Sequence, residues 1–255
     1  MATVTRIAAV SYLNTIPFIY GIKHEGSLRA DLLLAPPADC ARNYIEGRAD
    51  IALMPVAVVP SLVSTEIITD YCLGACGPVR TVVVVSNTPI GSVRRIFLDP
   101  HSRTSVQLCG WLAANRWHIA PEWCTMDDYS VLGSPAEGDA YLLIGDKVFD
   151  YEERFACVYD LADEWRKATR MPFAFAVWVA RKGTPYEAVD ALQRSLSYGV
   201  ECIYESIVEG GYADRPYAYD YLTKNIDFLF NEQKHKALKK FWASGVKVAP
   251  RVNPG

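Results

Sequence analysis

Short apolar runs alternate along the chain with stretches whose apolar positions recur at helical spacing. Arg6 to Val10, Leu32 to Leu34 and Ile51 to Leu53 are strand candidates, and Ile16 to Lys23 and Ala38 to Glu46 between them are helix candidates. This βαβαβ rhythm predicts a parallel sheet with helices on its faces and right-handed crossovers. Thr81 to Val85 is an unbroken β-branched run, the mark of a buried strand, and Asn87-Thr88-Pro89 ends it. A second set follows: a strand at Arg95 to Leu98, a helix from about Ser105 to Asn115 and a strand at Tyr141 to Ile144. Phe173 to Val179 predicts one more strand. Thr184-Pro185-Tyr186-Glu187 then reads as a capping box with proline at the first helical position. Apolar residues at 189, 192, 196, 200, 203 and 207 keep helical spacing until Gly210-Gly211 stops it. Two further helices are predicted over 217–224 and 231–243.

Two α/β sets separated by two long strands imply an inserted lobe. If both strands cross between the lobes, residues 1–86 and 181–255 form one lobe and 87–180 the other, each a mostly parallel sheet flanked by helices. A cleft between lobes is where small ligands bind.

The rest of the chemistry narrows the classes. With 255 residues, 51% apolar and 22% charged, the chain is ordinary globular protein, which excludes disordered and collagen-like readings. A net charge of −3 argues against a nucleic-acid footprint. The longest apolar stretch, Ala52 to Val63, is shorter than a membrane span and holds two prolines. At the N-terminus Ile7-Ala8-Ala9-Val10 runs straight into Ser11, an opening strand rather than an export signal. Seven scattered cysteines without a Cys-x-x-Cys predict reduced thiols and a cytoplasmic protein. Cys72 and Cys76 are expected as buried packing residues, and Lys234, Lys236, Lys239 and Lys240 as the solvated face of the last helix. Neither nucleotide-binding glycine fingerprint occurs, and the four histidines lack metal-ligand spacing. An enzyme built on this chain is expected to need no nicotinamide, ATP or metal.

Five segments carry candidate chemistry. Tyr12-Leu13-Asn14-Thr15 follows the first strand, at the sheet end where ligands of open α/β folds bind; a turn with a helix cap is the plain alternative. Asp99 to Ser105 joins a strand to a helix, and Ser102, Arg103, Thr104 and Ser105 offer hydroxyls, charge and open amides to an anion. An ordinary N-cap with a solvated Arg103 fits as well. Arg80, leading into the 81–85 strand, suits a second carboxylate or a surface salt bridge. Gly145-Asp146 ends a strand with a carboxylate that suits a general base or a helix cap. Trp165, with Phe173 and Phe175 beyond it, reads as core or as the lining for an apolar ring.

Together and in order, several stretches resemble the menaquinone-biosynthetic enzymes of the futalosine route, chorismate dehydratase among them. They are Val10-Ser-Tyr-Leu-Asn-Thr-Ile-Pro-Phe18, Ala49-Asp-Ile-Ala-Leu-Met-Pro-Val56, Gly77-Pro-Val-Arg-Thr-Val82, Asp99-Pro-His-Ser-Arg-Thr-Ser105, Leu143-Ile-Gly-Asp146, Asp160-Leu-Ala-Asp-Glu-Trp165 and Met171 to Arg181. Thr81 stands where many relatives are expected to carry serine, so the hydroxyl is kept and a methyl added. The resemblance implies a two-lobe fold like type II periplasmic binding proteins. It implies removal of water from chorismate, a dianion, without a cofactor. Asn14 and Thr81 would then orient the substrate, Asp146 or the substrate's own carboxylate would act as base, and Tyr12, Thr15, Arg80, Ser102, Arg103, Thr104, Ser105, Gly145 and Phe173 would bind it. The alternatives are a non-catalytic solute-binding protein for a small carboxylate and the sister 1,4-dihydroxy-6-naphthoate synthase, whose opening loop is expected to differ. No oligomeric state follows from the sequence.

Overall fold

A computed structural model describes residues 4–249. Eleven strands are present among them: β1 Thr5–Val10, β2 Ala30–Ala35, β3 Ile51–Pro55, β4 Thr65–Ala75, β5 Val82–Ser86, β6 Arg95–Leu98, β7 Glu122–Thr125, β8 Asp139–Ile144, β9 Cys157–Asp160, β10 Phe173–Arg181 and β11 Asp227–Leu229. The helices are α1 Ile16–His24, α2 Pro37–Ile45, α3 Thr104–Leu112, α4 Val148–Tyr151, α5 Leu161–Thr169, α6 Tyr186–Glu201, α7 Ile203–Glu209, α8 Ala218–Asp220 and α9 Glu232–Ala243. None is long and apolar enough to cross a membrane.

The strands form two sheets, ordered β11-β4-β10-β3-β1-β2 and β7-β6-β8-β5-β9. The predicted βαβαβ unit is present: β1 pairs in parallel with both β2 and β3, and β6 with both β7 and β8. The other pairings are antiparallel, so the sheets are mixed rather than mostly parallel. The cause is the two long strands. β5 lies wholly in the second sheet, between β8 and β9, and β10 lies wholly in the first, between β3 and β4. Neither crosses, so the lobe boundaries expected at 86/87 and 180/181 move: 82–86 belongs to the second lobe and 173–180 to the first. The outer limits of that division, residues 1–3 and 250–255, fall outside the described residues.

β4 escapes the hydrophobic pattern because its alternation is interrupted. Thr69 takes a positive φ of 64°, and the ladder to β10 shifts register between Val177 and Val179. The capping box before α6 does not form: Thr184 Oγ1 donates to Arg181 O at 2.8 Å, and Pro185 is the N-cap residue with no side-chain cap. The long helix predicted through Val208 breaks at Cys202 into α6 and α7.

The first lobe's core centres on Phe18, edge-on to Trp178, Tyr71 and Phe228 at 5.2–6.1 Å. A second aromatic group ties the lobes together. Trp165 of α5 meets Trp111 of α3 at 4.6 Å and Phe173 of β10 at 5.2 Å, and Phe173 meets Phe241 of α9 at 5.2 Å. Such ring pairs add about 1 kcal/mol each beyond the area they bury, so the lobes rest on a packed joint, with the cleft to one side of it.

Two side chains depart from expectation here. Lys234 is fully buried, not solvated: its ammonium donates to Asp227 Oδ2 at 2.7 Å, to Asp227 O at 3.0 Å and to Leu229 O. All three N–H groups are used, which is what allows a charge to sit inside. Cys76 is exposed, not packed, and its thiol donates to the same Asp227 carboxylate at 2.8 Å.

Candidate active site

The chain leaves β1 at Val10 and turns through Leu13–Thr15 into α1. It leaves β6 at Leu98 and turns through Asp99–Arg103 into α3. These strand exits belong to different lobes and face one another across a cavity. Tyr12, Asn14, Thr81, Ser102, Arg103, Thr104, Ser105 and Gly145 all line it. Its apolar walls come from Pro55, Leu73, Val79, Ile144, Phe175 and Ile226 among others.

At the α3 end, Asp99 holds the loop in place. Its fully buried carboxylate accepts from Ile144 N at 3.2 Å, His101 N at 3.0 Å and Tyr129 Oη at 3.3 Å, and pairs with Lys147 Nζ at 2.7 Å. Ser102 Oγ accepts from Ser105 N at 3.1 Å, and Thr104 Oγ1 donates to Phe175 O at 3.0 Å across the lobes. The other first-turn amides have no acceptor inside the helix and carry its positive end. Arg103 is exposed, and it is the one Lys or Arg among the described residues that line the cavity. An anion is the ligand this end fits.

At the opposite end the polar groups are neutral. Thr15 Oγ1 donates to Asn14 Oδ1 at 3.1 Å, so Thr15 buttresses Asn14 from beneath and does not itself line the cavity. Thr81 is almost fully buried, and its hydroxyl lies 2.6 Å from that of Tyr221. Tyr12 Oη is buried without a hydrogen-bond partner among the described residues. Burial first, then the charges of Asp99 and Asp146, push this phenol well above its usual range, so it is a proton-bearing donor. Gly145 is required beside it. Its φ is +76°, and a Cβ there would stand 2.9 Å from the Tyr12 ring.

Besides Thr15, three expected site residues lie outside the cavity lining. Arg80 does not line the cavity: its guanidinium pairs with Glu152 at 2.7 Å and stacks over Phe149 at 5.1 Å. Its backbone matters instead. With φ at +64° and Thr81 N donating to Val79 O at 2.8 Å, Arg80 is the centre of a strained γ-turn that delivers Thr81 to the cavity. Asp160 holds that turn, accepting from Arg80 N at 2.7 Å while capping α5 through Ala162 N and Asp163 N. Asp146 accepts from Leu13 N at 3.1 Å and from Tyr212 Oη at 3.1 Å, joining the second lobe to the first outside the cavity lining. Burial raises its carboxyl above the usual range, and those two bonds oppose the shift. Phe173 is locked in the aromatic joint, and Phe175, two residues on, reaches the cavity.

Tyr221 is the residue that the sequence hid. It comes from the turn Tyr221–Asn225, far along the chain, with no motif around it. Only its contact with Thr81 marks it. Among the described residues no three His, Cys, Asp or Glu side chains are grouped to hold a metal ion.

Comparison with solved structures agrees with this architecture. Protein AF1704 from Archaeoglobus fulgidus superposes with a TM-score of 0.74 at 17% identity, over 94% of this chain and 97% of that one. The CA3427 gene product of Candida albicans, described as having the generic periplasmic binding protein fold, gives 0.64 at 12% identity over 95% and 91%. The periplasmic aliphatic sulphonate binding protein SsuA of Escherichia coli gives 0.61 at 13% identity over 96% and 94%. The fold is therefore that of the periplasmic binding proteins, as the resemblance implied. Residues 5–247 match the model of the family described as menaquinone biosynthesis, and with nearly the whole chain inside that match, the chain belongs to that family.

Proposed function

We propose that within menaquinone biosynthesis this chain is a chorismate dehydratase, removing water from chorismate to give 3-[(1-carboxyvinyl)oxy]benzoate. One observation carries the reading: the cavity has an anion-binding end and a neutral pair, Asn14 and Thr81, and among the described residues no Asp, Glu or His lines it. A substrate with two carboxylates and a ring fits that distribution. One carboxylate meets the α3 start and Arg103, and the ring lies against the apolar walls. The second carboxylate cannot be assigned to Arg80, whose charge is spent on Glu152. Asn14, Thr81 and the unpartnered Tyr12 hydroxyl are the donors left for it or for the leaving hydroxyl.

The reaction balances without an oxidant. The ring hydroxyl leaves as water with the proton of the neighbouring ring carbon, and the ring becomes aromatic. The enzyme has to ease proton removal by stabilising the charge that builds on the ring carboxylate, in a site that aligns the groups and sheds water. The substrate's own side-chain carboxylate serves as base, since Asp146 is occupied with Leu13 and Tyr212.

Incubating the pure protein with chorismate alone, and following the aromatic enol ether by ultraviolet absorbance and mass spectrometry, tests the reading. A protein that binds chorismate and returns it unchanged is a solute-binding protein. Asp146→Asn keeps an acceptor for Leu13 N and is expected to hold turnover within about threefold. Turnover abolished with chorismate affinity intact makes Asp146 the base.

A further inference from the structure

Thr81 and Tyr221 approach from opposite lobes. Thr81 immediately precedes β5, and Tyr221 begins the π-helical turn that runs into β11. The turn is fixed against the β5 entry: Asn225 Nδ2 donates to Pro78 O at 2.9 Å, and the Tyr221 ring stands edge-on to Phe149 at 5.5 Å. Its hydroxyl therefore has little freedom. The side chain is fully buried, and its hydroxyl lies 2.6 Å from that of Thr81, the one hydroxyl bonded to it among the described residues.

Two hydroxyls sharing one hydrogen bond leave open which of them donates, and the surroundings decide it. The fully buried phenol has Thr81 Oγ1 as an acceptor for its proton, and an unpaired O–H at this depth is the costlier arrangement. Thr81 has another outlet for its own proton, the cavity that it lines.

We infer that Tyr221 is a positioning residue that sets the polarity of Thr81, so that the Thr81 hydroxyl is presented to the bound ligand as a donor. This inference rests on the dehydratase reading and adds to it a residue that acts through others and touches no substrate. The added methyl of threonine fits the same role, because a β-branched hydroxyl has fewer rotamers in which to lose that alignment.

Steady-state kinetics on chorismate with Tyr221→Phe, Thr81→Val and the double variant test it. Tyr221→Phe keeps the ring packing. It is expected to lower kcat about tenfold with KM moved less than about threefold. Thr81→Val is expected to lose at least as much, and the double variant to be no slower than Thr81→Val alone, because Tyr221 has nothing to act on once the hydroxyl is gone. Unchanged kcat in Tyr221→Phe, or losses that multiply in the double variant, overturns the inference. If thermal melts show that Tyr221→Phe does not fold, Thr81→Ser and Thr81→Val carry the test. Serine is expected to hold kcat within about threefold and valine to lose at least about tenfold. Wild-type rates in valine overturn the role of the hydroxyl. A wild-type protein inert toward chorismate fails the dehydratase reading first, and the inference falls with it.

Discussion

Two chain entries into the cleft look alike in sequence and differ in how they work. Asp99–Ser105 enters α3 with an arginine among hydroxyls, and Gly77–Thr81 enters β5 with an arginine before a hydroxyl. At the first, side chains and open amides face the cavity, and among the described residues no carboxylate pairs with Arg103. At the second, the arginine is consumed by Glu152 and the segment contributes through its backbone, a γ-turn held by Asp160. An arginine beside a cleft is an anion site only if no nearer carboxylate claims it, and that is a question of partners, not of position.

The sharpest break of this comparison is to remove each arginine. Arg103→Ala is expected to weaken chorismate binding about 30- to 100-fold, the worth of one charge-assisted hydrogen bond. Equilibrium titration checks this, and an equal loss in Arg80→Ala would mean that the two arginines act alike.

The γ-turn is tested through Asp160. Burial pushes its carboxyl up to about 6 from 3.8, although the Arg80, Ala162 and Asp163 amides donate to it. Its proton stays on in the folded protein at pH values where the unfolded chain has released it. The stability it contributes is therefore fully present below the unfolded value and lost as pH rises through about 6. Asp160→Asn lacks this titration. The stability of wild type relative to the variant is expected to fall by about 2–3 kcal/mol between about pH 4 and about pH 7, read from urea melts. A pH-independent difference would remove the burial argument.

A smaller effect belongs to the α3 entry. Ser102→Ala frees the Ser105 amide and is expected to cost about 1 kcal/mol, a fall of roughly 2–4 °C in Tm, with a modest loss of chorismate affinity. The smallest is Arg80→Gly. Relief of the positive φ offsets the lost, partly exposed ion pair and the added chain entropy, so stability should stay within about 1 kcal/mol and turnover within about twofold. A large loss of turnover there would mean that the guanidinium reaches the ligand after all.

Much of this protein was legible in its residues one after another. Period-2 and period-3.6 patterns locate β1, β3, β6, α1 and α9, because a strand or helix face that must be buried repeats at fixed spacing. The strand-exit rule finds Asn14 and the α3 start, since a loop leaving a parallel strand emerges at the ligand-bearing edge. The aromatic stretch of β10 is visible too, but not which ring reaches the cavity; a register shift between Ala174 and Ala176 in the β4 ladder lies there.

Tertiary structure alone decided the rest. Lys234 reads as one of four surface lysines until β11 folds over it and supplies two carbonyls and a carboxylate. Arg80 reads as an anion site until Glu152 arrives from 72 residues away, and Tyr221 reads as nothing until Thr81 meets it across 140 residues. Local sequence sets what a backbone segment can become, because propensity and periodicity act over a few residues. Whether a polar side chain is free to meet a ligand depends on which distant group satisfies it first, and only the folded chain makes that choice.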